Sequence, residues 1–323
     1  MATGVEEKPL VTVLLPAYNE ELAIGADLQR IIETMDASGY SYEILVVDDG
    51  STDRTAEIAA SFPGVRVLQH ARNRGTGAAR TTGLLAARGT FVLMSDADGT
   101  YPNQDLPRLV ERLLDGADMV VGARRVEMGT LRWLRVPAKE FIRRLASYMT
   151  GTHIPDLNSG FRGVRRDVAL RFLHILPTTH SWVSTITLAL LSNGYRVDYI
   201  PIDYYPRVGH SSFHPLRDTY NYLSLVLRTI TYFNPLKVFL PVSILMFILG
   251  ILKVIRDLVQ FSDFKESDVL ILVVAVLIGM LGLLADLMVT HGRARYIPDV
   301  PKGVREISSG ERAEETPLSE EHV

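Results

Sequence analysis

"YEILVVDDGSTDRTAEIAASF", Tyr42 to Phe62, decides the fold. A continuous apolar run ends at two carboxylates, Asp48 and Asp49; a Gly-Ser turn follows, and the remainder has helical spacing. That order reads as a buried strand, a turn at its carboxyl end and a helix. Upstream, "LVTVLLP" and "AYNEELAIGADLQRIIETM" repeat the plan, with Leu22, Leu28, Ile31, Ile32 and Met35 at mainly helical spacing. Asn19 is placed either as the N-cap of that helix or as a ligand contact. Downstream, "VRVLQHARNRGTGAARTTGLLAARG" repeats it again, and "TFVLMSDADGTYP" supplies the next strand. Alternating strands and helices with continuously apolar strands predict an α/β fold, a mostly parallel sheet covered by helices on both faces.

Ligands of such sheets lie beyond the carboxyl ends of the strands. The unusual polar residues stand at those ends: Tyr18, Asn19 and Glu20 after the first strand, Asp48 and Asp49 after the second, Asp96 and Asp98 after the fourth. Three clusters on one edge imply one site. A dinucleotide fold would need G-x-G-x-x-G after the first strand, where "PAYNEEL" stands instead. A calcium loop counted from Asp96 would need Gly sixth and Glu twelfth, but Tyr101 and Pro107 occupy those places. Burying Asp96 and Asp98 together would cost several kcal/mol per charge (on the order of the desolvation of an ion) unless a cation or hydrogen-bond donors stood between them. A divalent metal, Mg²⁺ or Mn²⁺, which takes few carboxylates plus ligand phosphates, fits a nucleoside diphosphate site there.

The 323-residue chain has a net charge of only −3, which argues against a general nucleic-acid binder, and its lack of cysteine excludes disulfides, thiolate metal sites and a cysteine nucleophile. Acidic residues near the amino terminus, where a signal peptide carries basic ones, lead us to expect no secretory signal. Two apolar runs change the picture toward the carboxyl end. Val238 to Ile255 carries only Lys253, and Val269 to Thr290 only Asp286, so each matches the roughly 20 apolar residues of a spanning helix. Arg228 and Lys237 before the first run, and Arg293 and Arg295 after the second, predict that both flanks are cytoplasmic. Leu216, Tyr220, Leu223, Leu227, Ile230 and Phe233 recur every three or four residues, which predicts an amphipathic helix lying in the membrane interface. The expected organisation is a catalytic domain over 1–215, an interfacial helix over 216–234, a two-helix transmembrane hairpin over 235–290 and a polar cytoplasmic tail over 291–323.

The stretches "LLPAYNE", "VVDDGSTD", "ARNRGTGAAR", "SDADG" and "DLNSGFRGVRRD" stand in the order of family-2 glycosyltransferases, which the chain resembles over most of Leu10 to Thr290. "YYPRVGHSSF" and the two apolar runs are similar to the polyprenol-phosphate branch, the dolichol-phosphate mannose or glucose synthases. The resemblance implies a GT-A-type fold and inverting, metal-dependent transfer of one sugar from a GDP- or UDP-sugar to polyprenyl or dolichyl phosphate at the cytoplasmic leaflet. It places Pro16, Ala17, Tyr18, Glu20, Asp49 and Asp96 around the nucleotide, with Asp49 accepting a base N–H. It places Asp96 and Asp98 on the metal, and Arg124, Arg162, Arg207 and Ser211 around the acceptor phosphate. Asp156 stands where many members hold a general base, and it completes the catalytic set with Asp96, Asp98, Arg124 and Arg207. Gly99-Thr100 replaces the Leu-Gln often found after the second Asp, and Ser212 stands in place of a Lys. The glycine-rich stretch Asn73 to Arg80 reads either as a phosphate loop or as a tight packing turn. Transfer to a hydroxyl of a lipid-linked sugar, and an inactive nucleotide-binding scaffold, are the alternatives; a homo-oligomer is compatible with each.

Overall fold

The computed structural model describes residues 8–125, 143–144, 146–148, 150–179, 181–207, 235–261 and 265–294. The expected interfacial helix, Ser211, Ser212 and the tail beyond Ala294 lie outside the described residues.

The strands are β1 (Val11–Ala17), β2 (Tyr42–Asp48), β3 (Val65–Gln69), β4 (Phe91–Met94), β5 (Met119–Arg124), β6 (Arg162–Arg165) and β7 (Val197–Ile202). They form one sheet in the order β3-β2-β1-β4-β6-β5-β7. All neighbours pair in parallel except β6, which runs antiparallel to both β4 and β5. The mostly parallel sheet read from the sequence is therefore present, with one reversed strand near its middle.

Alternation along β1 explains the layers. Val11, Val13, Leu15 and Ala17 face the cluster built on α1 (Ile24–Ser38) and α4 (Leu106–Leu114), with Ile24, Leu28, Ile31, Met35, Leu109 and Leu113. Leu14 faces the opposite cluster, where α3 (Thr76–Ala86), α5 (Arg166–Arg171) and α6 (Trp182–Ser192) contribute Leu84, Val168, Trp182 and Ile186. A side-chain period of two thus puts every β1 residue in a core, and all seven are buried. A short helix, α2 (Thr55–Ala60), covers the β3 side. Each fully buried Leu or Ile contributes about 1.5–3 kcal/mol of transfer free energy.

Two long helices follow, α7 (Leu236–Phe261) and α8 (Glu266–Ala294), and both are long and apolar enough to cross a membrane. They contain the two apolar runs of the sequence. Leu245, Leu252, Leu284 and Met288 are exposed, as expected of side chains directed at lipid. Between the helices the Ser243 hydroxyl donates to the Ala275 carbonyl at 2.8 Å, a contact suited to a medium without water. Val238 packs on the small cluster of Ala146, Ile154, Leu157 and Leu188, which joins the hairpin to the sheet domain.

Candidate active site

The turns after β1 and β2 are stitched together. Asn19 adopts a left-handed conformation, φ 54°, and its Oδ1 accepts from the Thr52 amide at 2.8 Å, while its own amide donates to the Ser51 hydroxyl at 2.9 Å. It does not cap α1, which begins at Ile24 with no side-chain cap, and Leu22 is exposed outside the helix. Pro16 and Ala17 are buried as the last residues of β1, and Tyr18 is exposed beside them.

Asp49 ends up at the glycine-rich stretch. The sequence reading gives it to a base N–H, but its carboxylate is 2% exposed and already engaged. It accepts from the amides of Arg74 at 2.9 Å and Gly75 at 2.7 Å, and its Oδ1 lies 2.7 Å from His70 Nδ1. Its work is to fold the glycine-rich stretch. There Gly75 has φ +95°, and a Cβ on Gly75 or Gly77 would strike the backbone of Pro177 or Thr178 at 2.4–2.5 Å, so this stretch is the tight packing turn.

Beyond β4 the carboxylates converge. Asp96 accepts from Arg80 Nη2 at 2.6 Å; Arg80 is 3% exposed and its Nε is buried without an acceptor among the described residues. A Cβ on Gly160 would lie 2.6 Å from Asp96 Oδ2, so only glycine lets that carboxylate sit here. Asp98 Oδ1 accepts from the Thr100 hydroxyl at 2.6 Å and its amide at 3.2 Å, leaving Oδ2 3.6 Å from Arg207 Nε. Arg207 also donates to Glu20, tying the segment after β7 to the end of β1. Burial first, then the neighbouring Asp96 charge, push Asp98 up. Burial pushes Glu20 up to about 7, with Asp98 and Asp96 adding to it and Arg207 opposing.

At the end of β5, Arg124 holds Asp156 in a bidentate pair, Nε to Oδ2 at 2.7 Å and Nη2 to Oδ1 at 3.0 Å. Its guanidinium lies 5.2 Å from the Tyr204 ring, which meets Tyr101 edge-on. Burial alone would raise the Asp156 carboxyl, but hydrogen bonds and charge from Arg124 hold it below the usual carboxylate range.

Arg162 likewise ends up elsewhere. The sequence reading sets it against acceptor phosphate, whereas the structure buries it completely at the start of β6. Its donors go to the carbonyls of Ser159 and Val183 and to the Thr187 hydroxyl. Burial, with Arg80 nearby, lowers it to about 10. Arg80 and Thr100 are the site residues the sequence reading missed, and Asp27 stands behind them, bonded to the Gly99 amide and the Asn103 side chain. Asp27 carried a signal, being an acid on the apolar stripe of Ile24, Leu28 and Ile31.

The edge thus gathers Glu20, Asp96, Asp98, Arg80, Arg124, Asp156 and Arg207, and leaves Asp49 and Arg162 behind it. Residues 12–172 match the family profile of glycosyl transferase family 2, and residues 234–290 match the GtrB C-terminal hairpin. A dolichyl-phosphate hexose transferase of Haloferax volcanii is 33% identical over 208 residues, covering 64% of this chain and 87% of that protein. The chain belongs to glycosyl transferase family 2. Other relatives in the family match over a smaller share of their length. An undecaprenyl-phosphate 4-deoxy-4-formamido-L-arabinose transferase of Aeromonas hydrophila is 35% identical over 164 residues, 49% of this chain and 50% of the relative. The chain therefore spans about half the length of that curated relative, and 60% of its counterpart from Edwardsiella ictaluri. The fold has a solved counterpart in the glucosyl-3-phosphoglycerate synthase of Mycobacterium tuberculosis, crystallised with Mn²⁺ and UDP-glucose. That likeness has a TM-score of 0.55 at 22% identity, over 69% of this chain and 79% of the other.

Proposed function

We propose that this family-2 chain transfers one sugar from a nucleoside diphosphate sugar to a polyprenyl phosphate held in the membrane, with its sheet domain on the cytoplasmic side. The observation that carries the reading is the Arg124–Asp156 pair. A hydroxyl acceptor needs a base, and an Asp with a lowered pKa and both oxygens on one guanidinium is a poor one. A phosphate acceptor is already ionised near neutral pH and needs none. Further support comes from the hairpin, which holds the domain where a long-tailed lipid phosphate can meet it, and from relatives named for undecaprenyl and dolichyl phosphate.

Asp96 and Asp98 suit Mg²⁺ or Mn²⁺: two oxygen donors on one edge, with no cluster of three or more potential ligands among the described residues, leave room for phosphate oxygens. A divalent cation held there would neutralise charge on the departing diphosphate. Tyr18 and Glu20 lie at the nucleotide end of the edge. Arg124 and Arg207 orient the acceptor phosphate, Arg124 with its plane fixed by Asp156 and Tyr204. One phosphate oxygen then forms its bond to the anomeric carbon as the bond to the diphosphate breaks on the opposite face. Configuration inverts, and no proton has to leave the acceptor.

The test is the purified chain in detergent with Mn²⁺ or Mg²⁺, a short polyprenyl phosphate and a panel of UDP- and GDP-sugars, with the glycolipid detected by mass. One donor should yield product that Asp98→Ala abolishes. Donor consumption without glycolipid would overturn the acceptor assignment.

A further inference from the structure

Asp27 is a carboxylic acid on the buried face of α1, 2% exposed, in a stripe whose other members are apolar. Burying a carboxylate is costly unless its lone pairs are used. Both oxygens are used, and both point to the same loop. Oδ2 accepts from the Gly99 amide at 2.8 Å, and Oδ1 accepts from Asn103 Nδ2 at 2.9 Å. Asn103, itself fully buried, passes the constraint on, since its Oδ1 accepts from the Ser95 hydroxyl at 2.7 Å. Ser95 and Asn103 bracket the stretch that carries Asp96 and Asp98, and Gly99 holds φ +74° at its apex.

Thr100 completes the arrangement. With the Gly99 amide pinned to α1, the Thr100 amide and hydroxyl both turn back onto Asp98 Oδ1. Oδ2 is left directed at the cationic side of the edge. Asp27 hydrogen-bonds Gly99 and Asn103 and not Asp98; its effect passes through the backbone of Gly99. We infer that Asp27 is a positioning residue that sets the Asp98 carboxylate in its cation-binding orientation, through the Gly99 amide and the Asn103 side chain. The inference rests on the proposal that Asp96 and Asp98 hold a divalent cation.

The experiment titrates the full-length protein in detergent with Mn²⁺, alone and with UDP or GDP, and follows free Mn²⁺ by electron paramagnetic resonance. Asp98→Ala serves as the control. Asp27→Asn keeps the shape but turns one acceptor into a donor facing a donor. It should weaken Mn²⁺ binding about tenfold, the size of one lost hydrogen bond to a charged group. The half-saturating Mn²⁺ for turnover should rise in step, while the rate at saturating Mn²⁺ stays within about twofold, a split that simple loosening of α1 would not produce. Asn103→Ala keeps the Asp27 charge, removes one of its two donors and should shift Mn²⁺ binding in the same direction; it also provides the readout where Asp27→Asn does not fold. Wild-type Mn²⁺ affinity in Asp27→Asn overturns the inference. So does a shift in Asp27→Asn with none in Asn103→Ala, which would assign the effect to charge. A wild-type protein without an Asp98-dependent Mn²⁺ site would fail one step earlier, removing the cation reading and the inference with it.

Discussion

Two clusters of several acids and several basic groups, one at the edge beyond β4 and one where α7 ends and α8 begins, hold opposite balances among the described residues. At the edge, three acids, Glu20, Asp96 and Asp98, share two guanidiniums, those of Arg80 and Arg207. At the hairpin end, two acids, Asp257 and Asp268, share three cations, Lys253, Arg256 and Lys265. Lys253 alone bonds Asp257 at 3.1 Å, the Ser267 hydroxyl at 2.9 Å and Asp268. Among the described residues, the first cluster is one positive charge short and the second is closed. Proximity of opposite charges therefore does not mark a site; an unbalanced acid count does, because mutual repulsion must be relieved by a proton or by a further cation.

The largest effect should come from Asp98→Ala, which removes half of the proposed cation site. Turnover should fall by about 10³-fold or to background, with Mn²⁺ binding lost in parallel. Lys253→Met should do the reverse. It takes from Asp268 its cation and from Asp257 one of three, so the melting temperature in detergent should drop while kcat and KM of the surviving protein stay at wild-type values. If Lys253→Met were to change Mn²⁺ dependence, the two clusters would not be independent and the comparison would break.

A third prediction sharpens the line between site and core. Arg162→Met leaves the Ser159 carbonyl without its guanidinium donors, at a cost of roughly 1–3 kcal/mol for a buried acceptor, while the Val183 carbonyl keeps the Thr187 hydroxyl. Folded yield should fall, with the KM for acceptor lipid unchanged. Asp156→Asn should act more gently, on kcat through the orientation of Arg124. The Arg124 pair holds the Asp156 pKa below 3.8, so its stabilisation is present at neutral pH and is lost only as pH falls below the ordinary Asp value.

The smallest effect is a slope. Glu20 is raised from 4.5 to about 7 and Asp27 from 3.8 to about 6, burial being the main cause of both. Between the unfolded and folded values the native state holds the extra protons, so stability should decline as pH rises from about 4 to about 7. Mn²⁺ should flatten that decline, raising the melting temperature more at about pH 8 than at about pH 5. Equal protection at both pH values would uncouple the cation from the acid excess.

Much of this was legible in the residues. Continuous apolar runs ending in acids placed β1, β2 and β4 and the edge they share, because a strand buried on both faces has no polar positions until it leaves the sheet. Asp96 and Asp98 followed from their position after β4. What the residues concealed was direction. Arg162 lies in "NSGFRGVRRD", too polar and too short to betray a strand, and the reversal of β6 turns its guanidinium under α6 rather than onto the edge. Asn19 has the composition of a helix cap, but the chain needs another turn to reach α1, so its side chain serves the neighbouring loop instead. The partners of Asp49 come from chain 21 to 26 residues away, beyond the reach of any local pattern.

The reversal of β6 has a consequence for how such enzymes diversify. Because β5 runs toward the active edge and β6 runs away from it, the chain departs from the sheet at Arg124 and re-enters it at Arg162 on the same rim, where the Gly122 amide meets the Phe161 carbonyl at 2.9 Å. The points of departure and return thus stand side by side on the sheet. Closing a longer excursion costs only about 0.6 kcal/mol per doubling of length, and no strand has to change register to admit it. A change of length between the two strands therefore leaves the register of the sheet alone, provided that Asp156 keeps its pair with Arg124 and Gly160 its place against Asp96.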